Sequence, residues 1–171
     1  VRLPSAERLA WAFKIHTYLC EHVDPAALED NIDQMTDDLL ISALLSLARV
    51  THTLNYIVFR TLLLFTFTTK SLKSVARLGI IQVVMSNLRR PQEVQCLRYS
   101  IGLLHRVCSS PHCRTVKVLS HFVHQDAVTL WSVISGHSEV SFARLQVLTI
   151  LSSMLLTHKG RQVLRTFHYL I

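Results

Sequence analysis

The chain has 171 residues, of which 50% are hydrophobic and 8% aromatic, and its formal net charge at pH 7 is +7. This length suits one domain or one piece of a longer protein, with a core built mainly from aliphatic side chains. Four glycines and four prolines argue against a turn-rich all-β domain and favour an all-α fold.

The charge divides the chain into two parts. Seven of the eleven acidic residues lie between Glu21 and Asp38, whereas from Leu39 onward fifteen Lys and Arg residues stand against three acids. We therefore expect residues 1–35 to form N-terminal helices with an acidic patch that caps the domain or contacts a partner. Residues 36–171 are expected to form a strongly basic body.

Capping signals predict three helices in the first 51 residues. Ser5 can cap a helix over 5–22, Asp24-Pro25 starts a short second helix, and acidic residues open a third at 36. The third helix is expected to run to about Thr51. The apolar side of the first helix is predicted to carry Leu9, Ala12, Phe13, His16 and Cys20.

The next stretch, 53–69, is apolar almost all round, which predicts a central buried helix. Residues 70–90 follow as a short and then a longer helix, and Gly79 allows a bend between them. The apolar face of the longer helix is predicted to consist of Ile80, Ile81, Val84, Met85 and Leu88.

An internal repeat organises the second half of the chain. The segment Pro91–Val116 returns as His137–Val163, with Arg98 matching Arg144. The apolar positions step by 3, 4, 3 and 4 in both copies, which places each set on one helix face. These sets are Val94, Leu97, Ile101, Leu104 and Cys108, and Val140, Ala143, Val147, Ile150 and Met154.

The phrase LGIIQVVMSNL at 78–88, followed by PQEV at 91–94, resembles the armadillo/HEAT helical-repeat family. The resemblance covers roughly residues 36–171, with the clearest copies at about 71–117 and 118–164. The second copy departs from the phrase, since His124, Gln125 and Asp126 replace its Leu-Gly-Ile. The resemblance implies a right-handed α-solenoid whose long helices line a groove for extended peptides or partner helices.

Basic residues are the main candidates for a binding site in such a groove. Arg98 and Arg144 each follow a predicted core residue, so they are expected to lie beside the buried stripe and to form a ladder for carboxylates or phosphates. Further candidates in and around the two copies are Arg89, Arg90, Arg106 and Arg161. The alternative interpretation is a solvated basic face without a specific ligand.

A metal or catalytic site is not expected. The candidate ligands Cys96, His105, Cys108, His112, Cys113, His121 and His124 lack the paired CxxC spacing typical of zinc sites. Cys113 beside His112 is the only candidate nucleophile, and no phosphate-binding loop or nucleophile elbow accompanies it. We therefore expect a non-enzyme without cofactors, with Cys96 and Cys108 filling the core.

These observations favour a non-catalytic interaction scaffold that binds an acidic or amphipathic partner segment in a basic groove. The alternative is a nucleic-acid-associated scaffold in a chromosome or DNA-maintenance assembly. Charge-free runs such as Leu145–Thr157 are shorter than the ~18–20 residues of a spanning helix, so no membrane contact is expected. We further expect an intracellular fragment, nuclear or cytoplasmic, that packs on adjacent segments of a larger protein.

Overall fold

The computed structural model describes residues 5–22, 24–50, 55–90, 93–114, 118–136 and 141–168. Helices make up almost all of these ranges, and the ranges contain no β-strand. The predicted all-α fold class is therefore confirmed.

Six α-helices lie in the first half of the chain. They are α1 (Ser5–Thr17), extended by a π-helical turn at Tyr18–His22, then α2 (Leu28–Met35) after a 3-10 turn at Pro25–Ala27, α3 (Asp38–Val50), α4 (Asn55–Phe65), α5 (Thr69–Arg77) and α6 (Ile80–Leu88). Thr68 caps α5 because its hydroxyl accepts a hydrogen bond from the Ser71 N–H at 3.3 Å. Gly79 adopts a φ of 92° between α5 and α6, a left-handed conformation that favours glycine.

The second half continues with five more α-helices. They are α7 (Val94–Ser109), α8 (Pro111–Arg114), α9 (His124–Gly136), α10 (Ser141–Leu155) and α11 (His158–His168), with a 3-10 turn at Val118–His121 before α9. The prediction of a short and then a longer helix at 70–90 is wrong, because α5 and α6 are both nine residues long. Pro111 opens α8, as expected of a first-turn proline.

Helices that lie three apart in the chain pack side by side. Helix α4 contacts both α1 and α7, and α7 in turn contacts α10. Helices α3, α6 and α9 form a second contacting series, while α5 contacts α2 and α8. Contacts between helices three apart thus recur along the chain.

The core follows the predicted apolar patterns in the central helices. In α4, Ile57, Val58, Phe59, Leu62 and Phe65 are buried, and every predicted apolar position of α6 is buried too. The repeated stripe is buried at Leu97, Ile101, Leu104 and Cys108 of α7 and at Ala143, Val147, Ile150 and Met154 of α10. Both stripes are thus core.

Three predicted core positions are wrong. Val94 is 59% exposed because it is the first residue of α7 and lies beyond the packed length of the helix. In α1 the buried side runs through Ala12 and Leu19, with Ile15 packed against them, while Phe13 is 54% exposed. Phe13 lies one residue, and so about 100°, away from Ala12. Cys20 is exposed as well, and the expectations for Leu9 and Val140 fall outside what the structure describes.

A buried amide network links three helices. The Asn55 side chain donates to the Ala48 carbonyl at 3.3 Å and to Asn87 Oδ1 at 3.1 Å. The Asn87 amide donates to the same Ala48 carbonyl at 3.0 Å. This network joins the C-terminal part of α3 to α4 and α6, and it satisfies polar groups that would otherwise be costly to bury.

Candidate partner-binding surface

Three neighbouring helices present arginine without acid. The sequences of α4, α7 and α10 contain no Asp or Glu. Arg60, Arg98 and Arg106 are exposed on α4 and α7, and we call these three residues the arginine face. With no acid on these helices to neutralise it, the arginine face favours an anionic ligand.

Each residue of the arginine face stacks on an aromatic ring from a neighbouring helix or its flanking turn. The Arg60 guanidinium lies 5.8 Å from the Tyr99 ring centre, and that of Arg98 lies 4.9 Å from the Phe142 ring centre. The Arg106 guanidinium lies 5.1 Å from the ring centre of Phe67. A cation on an aromatic face is favourable, and here each contact also fixes the position of a charged group.

These contacts show how α4 and α7 are matched in register. Arg60 meets Tyr99 and Phe67 meets Arg106. Between them, a Cβ placed at Gly102 would lie 3.9 Å from Leu63 Cδ2. The positions that meet are 60, 63 and 67 on one side and 99, 102 and 106 on the other, so the spacing is 3 and then 4 in both segments. One face of α4 and of the turn after it therefore lies along one face of α7.

Helix α10 adds exposed apolar surface. Its core residues occupy one side, whereas a second set points away from the core and is 48–69% exposed. We call this second set, together with the residue that follows the helix, the leucine stripe: Leu145, Leu148, Leu155 and Leu156. The sequence offset of 46 residues that relates Arg98 to Arg144 also relates Tyr99 to Leu145 and Gly102 to Leu148. A helix that is apolar on both sides favours contacts on both sides.

The arginines proposed from the sequence have different environments. Arg98 and Arg106 belong to the arginine face. Arg98 follows the buried Leu97, and Arg106 precedes the buried Val107. Arg144 of α10 follows the buried Ala143 as predicted, but it is half-buried, and its buried Nε makes no hydrogen bond within the described residues. Arg90 is exposed at the end of the turn after α6.

Arg89 and Arg161 support the fold through specific contacts. The Arg89 guanidinium donates to Asp126 Oδ1 at 2.6 Å, and Asp126 Oδ2 accepts from the Val123 N–H at 2.9 Å. This pair joins the end of α6 to the start of α9. Arg161 donates to the Leu155 carbonyl at 3.0 Å, so it caps the end of α10. The six predicted arginines are therefore spread over several contacts rather than gathered at one point.

The acidic patch contacts α5. Asp38 forms an ion pair with Arg77, and the Lys70 ammonium donates to the Asp33 carbonyl at 2.9 Å. These contacts involve α2, α3 and α5, none of which carries the arginine face.

The cysteines and histidines fall in separate environments. Cys96 and Cys108 are buried, as predicted, and burial, aided by Glu93, raises the pKa of Cys96 to about 11. Of the candidate ligands, His112 and His121 are exposed and His124 is half-buried. Among the residues that the structure describes, no three His, Cys, Asp or Glu side chains come together as metal ligands do, and the side chain of Cys113 is not among the side chains described.

Comparisons with known proteins leave the chain without a match. No protein-family model, curated protein or solved structure matches it. In the part of the chain that the structure describes, every helix is too short or too polar to cross a bilayer.

The sequence did not identify Phe142 and Phe67 as partners of Arg98 and Arg106, and it did not identify the pair of Arg60 and Tyr99. One signal was available, since the positions 60, 63 and 67 repeat the steps of 99, 102 and 106. That spacing alone does not indicate which helices lie side by side.

Proposed function

We propose that the chain is an armadillo/HEAT-like α-solenoid that acts as a non-catalytic interaction scaffold. In this proposal the arginine face and the leucine stripe together bind an acidic, amphipathic segment of a protein partner. The recurring contacts between helices three apart support the repeat architecture, because each unit of such a solenoid packs on its neighbours.

The observation that carries the function is the stacking of three exposed arginines on neighbouring rings across helices that contain no acid. A ring beneath a guanidinium restricts its motion and leaves the N–H groups at its edge directed outward. Such a guanidinium can form two parallel hydrogen bonds to one carboxylate. Preorganised groups of this kind lose less side-chain entropy on binding.

The leucine stripe supplies the apolar half of the surface. Arg98 of α7 contacts Phe142 of α10, so the helix that carries the leucine stripe is the direct neighbour of a helix with arginine-face residues. The helix that follows, α11, contains Lys159, Arg161 and Arg165 and no acid. Charge complementarity therefore favours an amphipathic occupant with acidic residues on its polar side.

Nucleic acid is the second candidate, because the same guanidinium groups could hold phosphates. The ring contacts favour the protein partner. Tyr99 and Phe142 each have an arginine over one face, which leaves less aromatic surface for the base stacking that single-stranded nucleic acids use.

Selection from a random-peptide library displayed on phage, followed by affinity measurements on the enriched peptides, tests the proposal. We expect enrichment of Asp and Glu together with Leu, Ile, Phe or Trp at helical spacing. The double reversal R60E/R98E should weaken binding by more than about tenfold, equivalent to about 1.4 kcal/mol. R49Q, which alters an exposed arginine on α3, is the matched control. Enrichment without acidic residues, or equal affinity for both variants, would contradict the proposal.

A further inference from the structure

A cavity of about 330 Å³ lies beside Arg106, where the turn after α4 and the start of α5 meet the end of α7 and the start of α8. One wall is formed by Thr66–Thr69 and Leu72, and the other by His105, Arg106 and Ser109–His112. None of these lining residues is Asp or Glu. The cavity therefore combines cationic and hydroxyl groups with no negative side chain.

Arg106 is fixed at this cavity by two contacts. Its Nε donates to the Thr66 carbonyl at 3.3 Å, and its guanidinium lies over Phe67. Both contacts are made with the turn after α4, and they fix the position of the Arg106 guanidinium. The hydrogen bond uses Nε, so it does not involve the two terminal nitrogens. Those nitrogens can form paired hydrogen bonds to an oxyanion.

Two further groups on α7 line the same wall. The Ser109 hydroxyl is buried and makes no hydrogen bond within the described residues, although buried hydroxyls are normally paired. His105 is half-buried, and its pKa is lowered by burial and by the charge of Arg106. An anion in the cavity would supply the Ser109 hydroxyl with an acceptor and offset the repulsion between Arg106 and a protonated His105.

The opposite wall includes the first turn of a helix. Thr68 caps α5, and Thr69 is the first residue of this nine-residue helix. The positive end of the helix dipole and the first N–H groups of α5 thus lie at the cavity. This feature adds to the side-chain groups that α7 provides.

We propose that this cavity binds a phosphate monoester dianion, carried by a phosphorylated serine or threonine of a partner segment. The arginine, the imidazole and the hydroxyl belong to one wall and the first turn of α5 belongs to the other, and a tetrahedral phosphate offers acceptor oxygens in more directions than a planar carboxylate. The site deepens the proposed function by specifying a modification of the bound segment. Arg106 is its one residue shared with the arginine face.

Titration calorimetry of the whole chain with three small probes tests this site: O-phospho-serine amide, adenosine monophosphate and inorganic phosphate. We expect O-phospho-serine amide to bind more tightly than adenosine monophosphate or inorganic phosphate and to shift the NMR signals of the His105 ring. R106Q should weaken its binding by about tenfold or more, S109A should weaken it less, and R49Q should leave it unchanged. Circular dichroism confirms that each variant is folded.

Two results would overturn the proposal. Equal affinity of wild type and folded R106Q for O-phospho-serine amide would remove the cavity as the site. Tighter binding of adenosine monophosphate than of O-phospho-serine amide would contradict the assignment to a phosphorylated side chain.

Failure of the phosphate site can be distinguished from failure of the proposed function. R98E should weaken binding of unphosphorylated acidic peptides and leave binding of O-phospho-serine amide intact, because Arg98 does not line the cavity.

Discussion

The Arg98 guanidinium lies 4.9 Å from the centre of the Phe142 ring, and this contact joins α7 to α10. Arg98 is exposed while Phe142 is half-buried, so the pair lies at the boundary between the core and the candidate surface. We predict a coupling energy of about 0.5–1 kcal/mol for this pair. A double-mutant cycle with R98Q, F142L and the double variant, measured by urea unfolding, provides the test. Strictly additive effects would contradict the contact.

Gly160 occupies a position where a side chain cannot be accommodated. A Cβ there would lie 2.1 Å from the Met154 carbonyl oxygen, which belongs to the backbone of α10. We predict that G160A lowers the free energy of unfolding by about 1–3 kcal/mol, because α10 and α11 must move apart. Thermal unfolding measures the change.

Gly136 is the matched control for that substitution. A Cβ at Gly136 has nothing within 4 Å, so G136A should change stability by less than about 0.5 kcal/mol. Equal effects of the two substitutions would show that α10 and α11 do not approach each other as described.

Asp126 holds α6 and α9 together from a buried position. Its carboxylate accepts hydrogen bonds from both Arg89 and the Val123 N–H. We predict that D126A destabilises the fold by about 1–3 kcal/mol, because it breaks both hydrogen bonds. D126N should recover part of the loss, since its side-chain oxygen can still accept one of them. Chemical denaturation of the two variants checks that D126N is more stable than D126A. An unchanged free energy of unfolding in D126A would contradict the prediction.

The buried amides of Asn55 and Asn87 predict another stability effect. N87A removes the donor to the Ala48 carbonyl and the acceptor for the Asn55 amide. We expect a loss of about 1–3 kcal/mol, measured by urea unfolding. S86A, at the exposed neighbouring position, should be close to neutral, and a similar loss in both variants would argue against the network.

His105 should make stability depend on pH. Its pKa is lowered from 6.5 by burial and by Arg106, so the folded chain takes up this proton at a lower pH than the unfolded chain does. The His105 contribution is present above pH 6.5 and is lost as pH falls below that value. We expect H105Q to unfold with a shallower pH dependence between about pH 7 and 5. Identical slopes for both proteins, in phosphate-free buffer, would contradict this.

Local signals in the sequence predicted most of the helices. Caps and prolines such as Asp24, whose Oδ1 accepts a hydrogen bond from the Ala26 N–H, and Pro111 act on their own turn, so their effect does not depend on the rest of the fold. The spacing of Leu97, Ile101 and Leu104 likewise identified the buried side of α7. In α1 the same reasoning failed, because the sequence pattern placed both Ala12 and Phe13 on the core-facing side. Packing against α3 and α4 buries Ala12 and leaves Phe13 exposed.

The candidate surface depended on contacts between helices, which spacing does not specify. Arg98 was identified from the repeat, but its partner Phe142 is 44 positions further along the chain. Arg60 was not proposed as a binding residue, because it interrupts an apolar helix whose other residues indicate core. Arg89 shows the converse, since a basic residue proposed for the groove forms an ion pair with the buried Asp126.

The most direct test of the account compares binding of an acidic amphipathic peptide and of a generic single-stranded oligonucleotide at increasing salt. We predict that the peptide retains most of its affinity at about 150 mM salt, because apolar contacts to the leucine stripe are insensitive to screening. We also predict that L145D/L148D abolishes peptide binding in a folded protein. Oligonucleotide binding that is tighter than peptide binding, falls steeply with salt and is unchanged in L145D/L148D would contradict the account.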